Sequence, residues 1–168
     1  MVAHHTKRLR AGNMKFVTGL LAAVLLLVAA GSSHAAVRIA SDHGGQIGSY
    51  VDKYQGLRSS GQHVIIDGLC ASACTIVLGS VPDDKICVTS QAALGFHAAF
   101  DFGAHGRTII NHGATKMLYS MYPSRVQRWI NQRGGLTSRM IYLRGKELMN
   151  MYHPCYLDAQ AFATGASK

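Results

Sequence analysis

The 168-residue chain predicts a single α/β domain. Short β-branched runs alternate with segments of helical hydrophobic period, and the links between them are short. Length supports one domain, because a chain of this size holds a single core. Val37-Arg38-Ile39-Ala40 predicts a strand, and Ser41-Asp42-His43-Gly44-Gly45 a tight loop. Gln46–Ser59 carries Ile47, Tyr50, Val51, Tyr54 and Leu57 on one helical face, and Gly61 ends it. Val64-Ile65-Ile66 is a buried strand by its β-branched run. The stretch DGLCASACT follows, leading into a buried helix over Thr75–Gly79, a turn at Pro82-Asp83-Asp84 and a strand at Ile86-Cys87-Val88. Ala93–His97 predicts a fourth strand, and the Gly-rich stretch Asp101–His112 a loop or β-excursion. The C-terminal part reads as helical, over 113–121, 124–132 and 138–152, with Pro123 and Gly134-Gly135 as punctuation.

The first 35 residues stand apart from that domain. Lys7, Arg8, Arg10 and Lys15 precede the apolar run Phe16–Ala30, and Ser33-His34-Ala35 offers small residues at an exit site. This is the pattern of a secretory signal, with Met14 as an alternative start. This run of fifteen residues, almost wholly apolar, falls short of the roughly 20 a membrane span needs. Membrane attachment is therefore expected only through an uncleaved signal. The exported domain would be residues 36–168, in the periplasm or outside the cell. The leader holds four of the 17 basic residues and none of the eight acids, so 13 bases face eight acids beyond it. The bases behind that balance of +5 are scattered (Arg125, Arg128, Arg133, Arg139, Arg144) and lack an interleaved aromatic platform, so no nucleic-acid partner is expected.

Export also bears on Cys70, Cys74, Cys87 and Cys155. An even number of cysteines in an oxidising compartment favours disulfides, although burial as small apolar side chains fits as well. Four cysteines allow three full pairings. Cys70 and Cys74 are read as too close on a helix to bridge each other, so one or both are expected to reach Cys87 or Cys155. A zinc clip would need two further ligands at short spacing, so no metal site is expected.

Ser72 lies between a buried strand and a buried helix, flanked by Ala71 and Ala73. A serine at a helix start meets free backbone N–H groups that can hold an oxyanion, but it needs a base. His97, at the end of the fourth strand, is the candidate.

These residues carry a resemblance. The run Gly44–Ala99 resembles the proteolytic subunit of the Clp protease, and more broadly the ClpP/crotonase superfamily, in particular its small exported proteobacterial members. Ser41-Asp42-His43-Gly44-Gly45 matches that family's Ser-Pro-Gly-Gly loop, and Ala71-Ser72-Ala73-Cys74 its nucleophile motif. Ile86-Cys87-Val88 matches a cysteine-bearing strand, and Gly95-Phe96-His97 the histidine motif, 25 residues after Ser72. The resemblance implies a minimal, single-domain spiral of ββα units with a helical C-terminal part. It implies Ser72 as nucleophile, His97 as general base, and the N–H groups of Gly45 and Ala73 as oxyanion hole. It also implies a strand-like groove after Gly45 for extended or unfolded polypeptide, a buried Cys87, no cofactor, and assembly into a homo-oligomer. Two departures stand out. His43 replaces the loop proline, and the triad acid has no aspartate at its place: Glu147 is the candidate and Asp158 the runner-up.

Three functions compete on this basis. The first is an exported serine hydrolase, a peptidase working through an acyl-enzyme on Ser72. The second is a binding or scaffold protein that keeps the fold without turnover. Thioester chemistry of the crotonase kind ranks third, because it relies on oxyanion donors and carboxylates and not on a Ser/His pair.

Overall fold

The computed structural model describes residues 36–155. The predicted signal over 1–35 and the runner-up acid Asp158 lie outside the described residues. Among the described residues no helix is long and apolar enough to cross a membrane.

The architecture is mixed α/β. Strand β1 (Val37–Asp42) is followed by helix α1 (Ile47–Ser60) and the long strand β2 (Val64–Ala71). A 3-10 turn over Ser72–Ile76 runs into the short helix α2 (Val77–Ser80). Strands β3 (Ile86–Val88) and β4 (Ala93–Phe96) come next, then a small hairpin of β5 (Phe100–Phe102) and β6 (Thr108–Ile110). Helices α3 (His112–Ser120) and α4 (Ser124–Asn131) precede strand β7 (Ile141–Arg144), helix α5 (Gly145–Met151) and strand β8 (His153–Pro154).

The central strand β2 organises a six-stranded sheet. β1 runs parallel to it along one edge. The opposite edge is shared: β3 pairs with Val64–Ile66 and β4 with Leu69–Ala71, both parallel to β2. Two strands sharing one edge curl the sheet. β8 extends it beyond β3, and β7 closes it antiparallel to β4. β2 is longer than its β-branched run Val64–Ile66 predicts, because β1 and β4 pair with its polar and small residues.

Apolar side chains from both layers meet over β2 and β4. Ile66, Leu94 and Phe96 are fully buried with Tyr54 of α1, Ile76 of the 3-10 turn, and Leu143 and Leu148 of the C-terminal part. α4 contributes Val126, Trp129 and Ile130, all buried. Phe96 meets Tyr122 edge-on at 5.3 Å and Trp129 at 5.6 Å, both aromatic geometries that add to area burial.

One boundary corrects the sequence reading. The expected helix over 138–152 is instead β7 followed by the shorter α5. Ile141-Tyr142-Leu143-Arg144 alternates between inward and outward residues, with Leu143 buried and Tyr142 and Arg144 exposed. That is a strand's period of two, and the open edge of β4 supplies the partner.

Gly68 makes the β1–β2 contact possible. β1 carries a register shift between Ile39 and Ser41, and the bulged Ala40 pushes its carbonyl at β2. A Cβ at position 68 would lie 1.9 Å from that oxygen. Gly68→Ala is therefore expected to destabilise the domain by about 1–3 kcal/mol or more, as overpacking does. Urea denaturation would report this as a lower midpoint at unchanged slope.

Candidate active site

Three parallel neighbours, β1, β2 and β4, end at the same rim of the sheet. Their register places Asp42 beside Cys70, Cys70 beside Leu94, and Ala71 beside Gly95. The segments leaving those ends are therefore adjacent: the glycine loop after β1, the Ser72 turn after β2, and His97 after β4. The carboxyl ends of parallel strands are where α/β proteins place ligands.

Ser72 is set in the left-handed region, at φ 57°. That conformation costs an L-residue about 1–2 kcal/mol and persists where its surroundings impose it. Several contacts do so here. Thr75 Oγ1 donates to the Ser72 carbonyl at 2.6 Å, and the buried Thr75 hydroxyl also bonds Tyr122 Oη at 2.7 Å. A disulfide joins Cys70 to Cys74 across the serine, with Cα atoms 5.3 Å apart. Tyr54 Oη donates to Cys74 Sγ at 3.5 Å. Gly44, at φ 81°, packs against the turn from outside. A Cβ on Gly44 would lie 2.6 Å from both the Ala71 carbonyl oxygen and Ser72 Cβ, and 2.7 Å from the Ala73 nitrogen.

His97 is half-buried, and its ring stacks on Phe100 at 5.6 Å. Its Nδ1 lies 2.7 Å from the Ala98 carbonyl oxygen. A carbonyl only accepts, so Nδ1 carries a proton, and in the neutral ring Nε2 is then the acceptor. That is the tautomer a general base requires.

Ser72, His97, Gly45 and Ala73 all line one pocket of about 650 Å³. Among the described residues no hydrogen bond joins Ser72 Oγ to the imidazole. Nucleophile–base hydrogen bonds are often long without substrate and tighten around it. Ala73 is the second residue of the 3-10 helix, in its first turn, where backbone N–H groups have no partner within the helix.

Glu147 is not brought to this site. It lies on α5, where its carboxylate accepts from Arg133 Nη2 at 2.6 Å and from Trp129 Nε1 at 3.3 Å. Those two donors, Arg133 first, hold its carboxyl below the ordinary glutamate range. The partner of His97 Nδ1 is the Ala98 carbonyl, so the expected acid is replaced at that position by a backbone oxygen.

The cysteine expectations are corrected as well. Cys70 and Cys74 bridge each other, and Cys87 bridges Cys155, with Cα atoms 4.9 Å apart. Cys70 is the penultimate residue of β2 and not helical, and the chain reverses at Ser72. Close pairing at a spacing of four is thereby allowed. The paired strands β3 and β8 bring Cys87 and Cys155 together.

Sequence reasoning did not single out the pocket's outer wall, which comes from the hairpin and α3. Phe100, Phe102 and Met117 line it and are exposed, Phe102 at 76%. The alternation Phe100-Asp101-Phe102 was the available signal, since large apolar residues on an exposed strand mark a contact surface.

Fold and site together define a mixed α/β domain with a serine and a histidine facing one pocket at its parallel strand ends. No family model matches the chain, and no curated protein does. Among solved structures it is similar to a point mutant of ClpP1 from Listeria monocytogenes, at 17% identity and a TM-score of 0.39. The match covers 82% of this chain and 81% of that one.

Proposed function

We propose that this chain is an exported serine hydrolase of the ClpP/crotonase type, a peptidase acting on extended or unfolded polypeptide. One observation carries the reading: Ser72, held in a strained backbone conformation, shares a pocket with a histidine whose proton is fixed on Nδ1. In the first step His97 Nε2 takes the Ser72 hydroxyl proton as Oγ attacks the substrate carbonyl carbon. Negative charge moves to the carbonyl oxygen, which the N–H groups of Gly45 and Ala73 receive. The imidazolium then gives its proton from Nε2 to the leaving amine, and the C–N bond breaks. Water, deprotonated by the same nitrogen, releases the acyl group from Ser72. The Ala98 carbonyl holds the ring in its working tautomer and orientation throughout, as an acid does in a triad.

The leader sequence supports export, and the two disulfides are compatible with an oxidising compartment. Relatives in that superfamily assemble into rings and trimers, and the same is proposed for this chain.

Reaction of the purified protein with a fluorophosphonate probe tests the hydrolase reading. The expected result is one covalent adduct on Ser72, absent in Ser72→Ala. Equal labelling of both proteins, or none of the wild type, would overturn it. A non-catalytic binding protein is the second reading, favoured by the missing Ser72–His97 hydrogen bond and the exposed aromatic wall. It predicts no labelling and a Ser72→Ala variant that folds as the wild type does.

A further inference from the structure

We infer that Asp42 is a positioning residue for the Ser72 pocket, acting through the glycine loop that it anchors; the inference rests on the hydrolase reading above. Asp42 is the last residue of β1, beside Cys70 in register, and it does not itself line the pocket. Its half-buried carboxylate gathers three donors from the segment that follows. Oδ1 accepts from the Gly44 N–H at 2.9 Å and from Tyr50 Oη at 2.5 Å, while Oδ2 accepts from Lys53 Nζ at 3.4 Å.

The bond from residue 44 back to the side chain of residue 42 is an Asx turn, a device that sets a loop's direction without a proline. It delivers Gly44 at φ 81°, where its Cα presses on the Ser72 turn with no room for a Cβ. The next N–H along the chain is that of Gly45, on the pocket wall. Tyr50 and Lys53, both on α1, fix the carboxylate from the other side, so the loop is tied to the helix as well as to the strand. Lys53 Nζ also lies over the rings of Tyr50 and Tyr54, at 5.0 and 5.4 Å. Tyr54 in turn reaches Cys74 in the Ser72 turn. Burial opposes the charge on Asp42, but the Tyr50, Gly44 and Lys53 contacts outweigh it and hold the carboxyl below its ordinary value. Burial and the same carboxylate push Tyr50 up to about 12. The anchor is thus a carboxylate acceptor whose charged form its N–H and O–H donors favour.

The two sides of an oxyanion hole would then have separate supports. Ala73 belongs to the disulfide-closed turn, and Gly45 depends on Asp42. An asparagine at position 42 keeps an oxygen for the Gly44 N–H, whereas alanine removes it.

The full chain, Asp42→Asn and Asp42→Ala are compared by saturation kinetics of fluorophosphonate labelling and by amide hydrogen exchange at Gly44. Asp42→Ala is expected to lower the maximal labelling rate by about tenfold or more, toward the 10²–10³ that loss of an oxyanion donor costs, with half-saturation unchanged. Gly44 exchange should accelerate in the same variant. Asp42→Asn should restore both readouts to near wild type, which a general loss of stability would not predict. Wild-type labelling in Asp42→Ala, equal losses in Asn and Ala, or unchanged Gly44 exchange would each overturn the inference. If the wild type itself does not label, the hydrolase reading fails, and the exchange data alone decide whether Asp42 sets the loop. Should Asp42→Ala not fold, Tyr50→Phe serves in its place. It is expected to accelerate Gly44 exchange, and an unchanged rate would overturn the inference.

Discussion

Replacing His97 with glutamine is expected to slow fluorophosphonate labelling of Ser72 by about 10²–10⁴-fold, the usual contribution of a positioned general base. Glutamine preserves most of the ring's bulk against Phe100, so the loss should appear in rate and not in folding. The same measurement on Glu147→Gln should give the wild-type rate. That contrast decides what orients the imidazole. A triad acid supplies two things, a fixed tautomer and a negative charge opposite the imidazolium formed during attack. The Ala98 carbonyl, 2.7 Å from Nδ1, supplies the first and only a dipole toward the second. Glu147 is engaged with Arg133 and Trp129 and supplies neither. A His97→Gln protein that labels as fast as wild type would remove the base from the mechanism. A Glu147→Gln protein that slows in parallel with His97→Gln would restore the carboxylate to it.

The residues of the candidate site were more legible in the sequence than their supports, and local pattern against tertiary contact explains the difference. β3, β4, α3 and α4 fall within a residue or so of their expected limits because β-branched runs, Pro123 and Gly134-Gly135 act locally. Ser72 and His97 were legible as a small-residue turn after a strand and a histidine ending another. What brings them to one rim is the register of β1, β2 and β4, and no local signal carries register. The strand Ile141–Arg144 was missed because four residues that alternate in burial also fit within a helical stretch until a neighbouring edge claims them. The Cys70–Cys74 bridge was missed for a related reason. It depends on Ser72 adopting a positive φ, which is uncommon in any non-glycine residue. Asp42 was in plain view two residues before a Gly-Gly pair, the spacing of an Asx turn.

The two disulfides are expected to fail in opposite ways when removed. Chain-entropy reasoning assigns about 2 kcal/mol to closing the short Cys70–Cys74 loop and about 4 kcal/mol to the Cys87–Cys155 loop. The sequence separations are 4 and 68. The double variant Cys87→Ala/Cys155→Ala should therefore lose more thermal stability. That bridge fastens the chain after β8 to β3, which pairs with the N-terminal half of β2, whereas the pocket strand β4 pairs with its C-terminal end. Below its melting temperature the variant should label at Ser72 at the wild-type rate. The double variant Cys70→Ala/Cys74→Ala should melt closer to wild type yet label far more slowly. Its bridge encloses the nucleophile, and without it the cost of a left-handed serine rests on Thr75 and Gly44 alone. Relaxation of Ser72 to a negative φ would turn Oγ and the Ala73 N–H away from their present directions together. A loss of at least tenfold in labelling rate is then expected, since displacing one oxyanion donor alone costs about 10²–10³. Melting curves and labelling rates on the same two variants provide the check. If labelling tracks melting temperature in both, the Cys70–Cys74 bridge acts only on stability. If it falls in the Cys70/Cys74 variant alone, the disulfide is what presents Ser72 to its substrate, and reduction of the protein should silence it reversibly.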